Sequence, residues 1–166
     1  LEAALNYAQK GWRVIPLHSI KANGKCSCGN DNCKSLGKHP RISEWEKAAT
    51  KNTKAIENWF SNWPESNIGI VGGPDSGIAV LDVDPRHGGD KSLKDLQTKY
   101  GALPQTPSVV TGGDGLHFYF RYPKAAIGNK AGFRDGLDFK ADRGYVVAPP
   151  SKHASGKTYE WKESDL

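Results

Sequence analysis

Apolar residues recur at helical spacing in some stretches of the chain and at alternate positions in others, and these two periods divide it into elements. Leu1, Ala4, Leu5 and Ala8 share one face of a helix predicted over 1–10, Gly11 stops it, and Trp12 to Leu17 follows as a strand. Between Lys21 and His39 the periodicity lapses, which predicts an inserted loop. Ser43-Glu-Trp-Glu46 has the spacing of a capping box, and Thr53 is placed to cap a second helix with Ile56, Trp59, Phe60 and Trp63 at i, i+3, i+4 and i+7. That stripe reads first as core, with a stacking surface for bases as the alternative.

Further on, Asn67 to Val71 and Gly77 to Val83 read as paired strands joined by the turn Gly72-Gly-Pro-Asp-Ser-Gly77. After Gly88-Gly89, Asp90 is placed to cap a helix that buries Leu93, Leu96 and Tyr100, and Gly101 closes it. Strands then return at 108–111, at 116–122 with Leu116, Phe118 and Phe120 on one face and His117, Tyr119 and Arg121 on the other, at 136–140, and at 144–148 before Pro149-Pro150. This order predicts a mixed α+β domain with a largely antiparallel sheet. No internal repeat or low-complexity tract interrupts it.

The length of 166 residues suits a single domain, expected over 1–166, with the loop at 21–40 inside it. Lys and Arg number 23 against 18 Asp and Glu, and the net charge of +5 favours a polyanionic partner without requiring one. No apolar run approaches a membrane span and no basic-then-apolar leader precedes the first helix, so no membrane partner and a cytoplasmic setting are expected. The chain contains no methionine and opens at Leu1 inside a predicted helix, so it is expected to be a piece of a longer protein.

The candidate chemistry centres on Ile78-Ala-Val-Leu-Asp-Val-Asp84, an apolar run ending in two acids one residue apart. On a strand Asp82 and Asp84 share a face, and two carboxylates held that close favour a hard divalent cation such as Mg²⁺ or Mn²⁺. The competing reading is a strand end running into a solvated Pro-Arg-His-Gly-Gly turn. His117 and Asp138 also lie opposite the apolar faces of their strands, and if they converge with the acid pair, three carboxylates could hold two divalent ions for in-line phosphoryl transfer. The glycine-rich turn Thr111-Gly112-Gly113-Asp-Gly115 could bring backbone amides close to phosphate, with His117 touching a triphosphate. A hairpin turn followed by a surface histidine is the alternative. Cys26, Cys28, Cys33 and His39 form a second group, a closed tetrahedral donor set for structural Zn²⁺ in a loop with little apolar material of its own. Free thiols, or one disulfide and an odd cysteine, compete with that reading. Lys38, Arg41, Arg134, Lys140 and Arg143 lie near these groups in sequence, where they would meet template or triphosphate phosphates or stay solvated.

Taken together, Cys26 to Pro40, Ile68-Gly-Ile-Val-Gly72, Leu81-Asp-Val-Asp84, the Thr111-Gly-Gly turn with His117, Gly136-Leu-Asp138 and Gly144-Tyr-Val-Val-Ala-Pro-Pro-Ser151 resemble the bifunctional primase-polymerase family of the archaeo-eukaryotic primase superfamily, in order and over nearly the whole chain. The resemblance implies that Asp82, Asp84 and Asp138 are catalytic metal ligands and that His117, with Thr111, Gly112 and Gly113, binds nucleotide. It implies an RNA-recognition-motif-like sheet beside a smaller α/β subdomain, and often a helicase in the same full-length chain of a plasmid, phage or mobile-element replication protein. One departure is that Asp114 and Gly115 intervene between the glycine pair and Leu116. The resulting expectation is a template-dependent primase/polymerase using NTP or dNTP on single-stranded DNA. Its rivals are a metal-dependent nuclease with the same acids, and a catalytically silent, zinc-stabilised single-strand-binding module.

Overall fold

Two antiparallel sheets share one main core, and the chain passes between them three times. In the computed structural model, which describes residues 1–162, β1 (Arg13–Leu17), β2 (Asn67–Val71) and β8 (Tyr145–Ala148) form a three-stranded sheet in the order β1-β2-β8. A six-stranded sheet runs β6-β7-β3-β5-β4-β9, from β3 (Ile78–Val83), β4 (Ser108–Val110), β5 (Leu116–Arg121), β6 (Lys130–Arg134), β7 (Leu137–Lys140) and β9 (Glu160–Trp161). The helices are α1 (Glu2–Gln9), the short α2 (Trp45–Ala48), α3 (Thr53–Asn62) and α4 (Gly89–Tyr100), with a 3-10 turn at Pro85–His87. This is the mixed α+β, antiparallel architecture that the sequence predicts. The last four residues of the expected domain over 1–166 lie outside the described residues. Among the described residues no helix is long and apolar enough to cross a membrane.

Alternation along the strands explains the layers. On β3, Ile78 and Val80 face the main core with Val109, Tyr119 and the small sheet's Val14, Ile15, Ile68 and Ile70, while Leu81 and Val83 face the other way with Leu137. Leu93 and Leu96 of α4 cover that second face. Tyr100, expected beside them, is instead 71% exposed at the C-terminal end of α4. The α1 face is Ala4, Tyr7 and Ala8, with Leu1 half exposed ahead of the helix. Ile56 and Phe60 of α3 are buried, and each such side chain contributes about 1.5–3 kcal/mol.

The expected hairpin of 67–71 with 77–83 does not form. β2 lies between β1 and β8, β3 lies between β7 and β5, and only an isolated Gly73–Ile78 bridge links the two segments. A Cβ on Gly72 would sit 2.9 Å from the Ala141 carbonyl oxygen, so the turn passes tightly against the connection from β7 to β8 and delivers the chain to the other sheet. Helix starts also differ from expectation. Glu44, with φ 46°, precedes α2 without a side-chain cap and instead pairs with Lys47 at 2.6 Å, so the capping box at Ser43 is not made. Asn52 rather than Thr53 caps α3, accepting from the Ala55 amide at 3.1 Å. Gly88 precedes α4, which places Asp90 in its first turn, where its charge still favours the helix N-terminus.

Candidate active site

Strand register builds the site. Asp82 lies opposite His117 of β5 on one side and opposite Asp138 of β7 on the other, so three sequence-distant residues form a row across three adjacent strands. Asp84 follows just past the end of β3. Its backbone is clamped, with its N–H donating to the Gly136 carbonyl (2.8 Å) and its carbonyl accepting from the Gly89 N–H (2.9 Å). Glycine is required at both contacts, since a Cβ on Gly89 would fall 2.3 Å from the Gly136 oxygen and one on Gly136 would fall 2.4 Å from the Gly89 nitrogen. Gly89→Ala is therefore expected to shift Asp84 and to destabilise the domain by about 2–4 kcal/mol, read from denaturant midpoints, because the clash is with backbone that cannot rotate away.

The acids differ in electrostatic state. Burial raises the Asp82 carboxyl to about 6; Lys140 opposes this, and the neighbouring Asp138 and Asp84 add to it. Asp84 is held well below the usual carboxylate range by Arg86, whose Nε (3.0 Å) and Nη2 (2.9 Å) both donate to it, with His87 Nδ1 at 3.0 Å. For Asp138, burial pushes up, but Lys140 Nζ (2.7 Å) and the Gly132 N–H (2.6 Å) outweigh it and the net shift is downward. Arg86 and Lys140 thus neutralise the two acids that flank Asp82. Asp84 also caps the turn that follows, accepting from the Arg86 N–H at 3.0 Å, as the competing strand-end reading expects, and the same turn supplies the Arg86 side chain.

His117 is 4% exposed rather than a surface residue, and burial lowers it to about 3, so its ring is neutral. Its Nε2 is 3.6 Å from Asp82 Oδ1, and its Nδ1 is buried without a hydrogen-bond partner. The turn before it is self-contained. Thr111 Oγ1 accepts from the amides of Gly113 (3.3 Å) and Gly115 (2.9 Å), and the Asp114 N–H bonds to the Thr111 carbonyl (3.0 Å). Of the amides expected to approach phosphate, those of Gly113, Asp114 and Gly115 are therefore occupied within the turn. Thr111 and Gly113 line the cleft, whereas Gly112 packs on His153.

That cleft, of about 310 Å³, lies where the two sheets meet, with Asp82, Asp84 and His117 on one wall and Tyr145, Val146 and Val147 of β8 on another. Lys38, Arg86, Lys140 and Arg143 line it as cations. Arg41 instead braces the loop, with Nη2 donating to Ser27 Oγ at 2.8 Å, and Arg134 lies on exposed β6. Sequence reasoning missed Arg86 and Tyr159. The first had a signal, two residues after Asp84 in a proline-initiated turn; the second had none.

Cys26, Cys28, Cys33 and His39 come together as expected, with all four ligand atoms within 4.8 Å of one another. His39 Nε2 is 3.5 Å from both Cys26 Sγ and Cys33 Sγ. Bond lengths of about 2.3 Å to sulfur and about 2.0 Å to nitrogen give a tetrahedral S···N edge of about 3.6 Å, so the donor set fits zinc. The Cys26 thiol is buried, which opposes ionisation, but the Cys28 and Gly37 amides and the Cys28 and His39 side chains bring it down to about 6, while burial and the neighbouring Cys28 and Cys26 push the Cys33 thiol up. No disulfide forms among these cysteines.

A search among curated proteins finds no match. A family model described as bifunctional DNA primase/polymerase, N-terminal, matches residues 4–165.

Proposed function

Because the chain belongs to the bifunctional DNA primase/polymerase family, we propose that its cleft catalyses template-directed nucleotidyl transfer from NTP or dNTP to a 3′ hydroxyl on single-stranded DNA. The observation that carries this reading is the row His117–Asp82–Asp138, of which Asp82 and His117, with Asp84 beside them, line a cleft rimmed by cations while Asp138 stands just outside its lining. Asp82, Asp84 and Asp138 would hold Mg²⁺ or Mn²⁺, which would supply Lewis-acid activation of the 3′ hydroxyl and charge neutralisation on the pyrophosphate. Arg86 and Lys140 have two roles in turn. As the structure stands they neutralise Asp84 and Asp138; with divalent cations held by those acids, both side chains would be free to contact triphosphate oxygens. His117, neutral and buried, presents a fixed imidazole to the nucleotide, while Thr111 and Gly113 wall the cleft rather than donate amides to it.

The strand order β7-β3-β5-β4, with α4 crossing from β3 to β4 and β5 between them, is the split βαβ arrangement that supports an RNA-recognition-motif-like core. The β1-β2-β8 sheet with α1 and α3 then corresponds to the smaller subdomain, and the loop at 21–40 to a zinc-binding insertion within a single catalytic domain. In the full-length setting we assign this domain to replication of a plasmid, phage or mobile element, alongside a helicase in the same chain.

The test is primer extension and de novo priming on single-stranded DNA with Mg²⁺ or Mn²⁺, beside a folded variant carrying Asp82→Ala and Asp84→Ala. Metal-dependent products that the variant does not make are expected; absence of product with either metal, from protein that melts cooperatively, would reject the reading. A nuclease would instead shorten the primer without any need for triphosphate. In the same assay His117→Ala is expected to raise the nucleotide KM about tenfold or more with a smaller effect on primer affinity.

A further inference from the structure

Lys38 precedes the cluster ligand His39 in sequence, yet its side chain lines the cleft at Asp82 and Asp84. The segment that carries it is fixed on both sides. Asn67 Nδ2 donates to the Gly37 carbonyl (2.8 Å) and Tyr145 Oη donates to the Lys38 carbonyl (3.0 Å). The His18 N–H donates to the His39 carbonyl (2.9 Å) and the Arg41 N–H to the Pro16 carbonyl (3.0 Å). The backbone of Lys38 is thus seated on the small sheet, and the next residue is tied into the cysteine–histidine cluster.

The ammonium is half-buried and lies within electrostatic reach of Asp82, Asp84 and Arg86. Among the described residues it makes no ion pair and no hydrogen bond, unlike Arg86 and Lys140, which are bound to Asp84 and Asp138. A desolvated cation on a rigid mount, with three further cations, Arg86, Lys140 and Arg143, lining the same cleft, is arranged for an oligoanion. Its place beside Asp82 and His117, rather than on the open edge at β6, favours the phosphates of a nucleotide over those of a strand.

We propose that Lys38 binds the triphosphate of the incoming nucleotide, and that zinc at Cys26, Cys28, Cys33 and His39 holds it in place, so that the metal loop is a wall of the nucleotide pocket. This rests on the nucleotidyl-transfer reading. Zinc occupancy then governs nucleotide affinity with no zinc contact to the nucleotide.

The experiment measures binding of the α,β-methylene analogues of ATP and dATP, with Mg²⁺, to the intact protein and to Lys38→Ala, each with zinc bound and after chelation, alongside binding of single-stranded DNA. We expect Lys38→Ala to weaken analogue binding about 10- to 100-fold, with Lys38→Arg restoring part of it and DNA affinity changing less than twofold. Inorganic triphosphate should compete on the parent protein and lose potency on Lys38→Ala by a similar factor. Chelation should weaken analogue binding by the parent about as much as the substitution does, and add little in Lys38→Ala, because both act on one contact. Unchanged analogue binding by Lys38→Ala, when Asp82→Ala has lost it, would overturn this inference and leave the active-site reading standing. Weaker DNA binding instead would assign Lys38 to the template and overturn it equally. Losses that simply add would remove the zinc link. A parent protein that binds no analogue at all would sink both this inference and the reading it rests on.

Discussion

Asp82→Asn is expected to make the protein more stable and inactive. Loss of the central carboxylate should lower nucleotide addition on the order of 10³-fold, the scale of removing one electrostatic element from a preorganised site. Stability moves the other way because Asp82 is ionised at neutral pH against its burial. Its carboxyl is raised from 3.8 to about 6, so the folded state binds the proton more tightly than the unfolded chain. The contribution is neutral below about 4, turns unfavourable as pH rises to about 6, and is a full penalty above that. Each tenfold difference in proton affinity corresponds to about 1.4 kcal/mol. With the side chain still 32% exposed, screening reduces the gain in the asparagine variant to on the order of 2 kcal/mol at pH 7.5. Melting in the absence of divalent cations should show the variant above the parent at pH 7.5, with the gap narrowing as pH falls through 6 towards 4. A variant less stable than its parent at pH 7.5 would show that Asp82 is structural. Activity of the parent should likewise fall as pH is lowered through about 6, where the carboxylate acquires its proton.

Removing zinc is expected to give the second large effect. The stretch 21–40 contributes Cys26 to the buried residues but no strand or helix, so the thiolate–imidazole cluster replaces a core there. With free zinc about 1,000-fold above its Kd, binding to the folded state contributes about 4 kcal/mol. For a domain of this size that corresponds to roughly 8–16 °C in Tm. Chelation, or Cys26→Ser, should produce that fall together with faster amide exchange at Ser27, whose N–H is bonded to the Ser19 carbonyl. One zinc per chain is expected by metal analysis, and none in Cys26→Ser. A protein that purifies without zinc and melts identically with chelator would reject the site.

Much of the site is legible in the sequence because strands have a strict period. Alternation alone places Asp82 opposite the α4-covered face and puts His117 and Asp138 on the polar sides of their strands; it does not say that the three strands adjoin. The cysteine–histidine group is legible from composition within an aperiodic loop, where no packing pattern competes. The pairing of 67–71 with 77–83 misleads because a glycine–proline turn marks a reversal without indicating which neighbour receives the strand. His117 is open to a surface reading because a single polar residue on a strand gives no sign of what covers it. Here the small sheet and Tyr159 do, with ring centroids 6.0 Å apart. The role of Arg86 is hidden for the opposite reason: a polar turn looks solvated until its side chain is seen folded back onto Asp84. Of the amides in the 111–115 turn expected to approach phosphate, those of Gly113 and Gly115 are taken up by the Thr111 hydroxyl and that of Asp114 by the Thr111 carbonyl.

The crossings at Gly72 and at Ala141 bear on how the domain folds. β3 obtains its partners β5 and β7 only from later in the chain, and β2 waits for β8, which follows β7 across the second crossing. Neither sheet can be completed by local pairing, so folding is dominated by long loop closures and should be slow for a chain of this length. During synthesis, the cleft has no second wall until Tyr145–Ala148 has left the ribosome. Nascent chains shorter than that carry the acids but no enclosed cleft, whose lining is complete only once Tyr159 has followed.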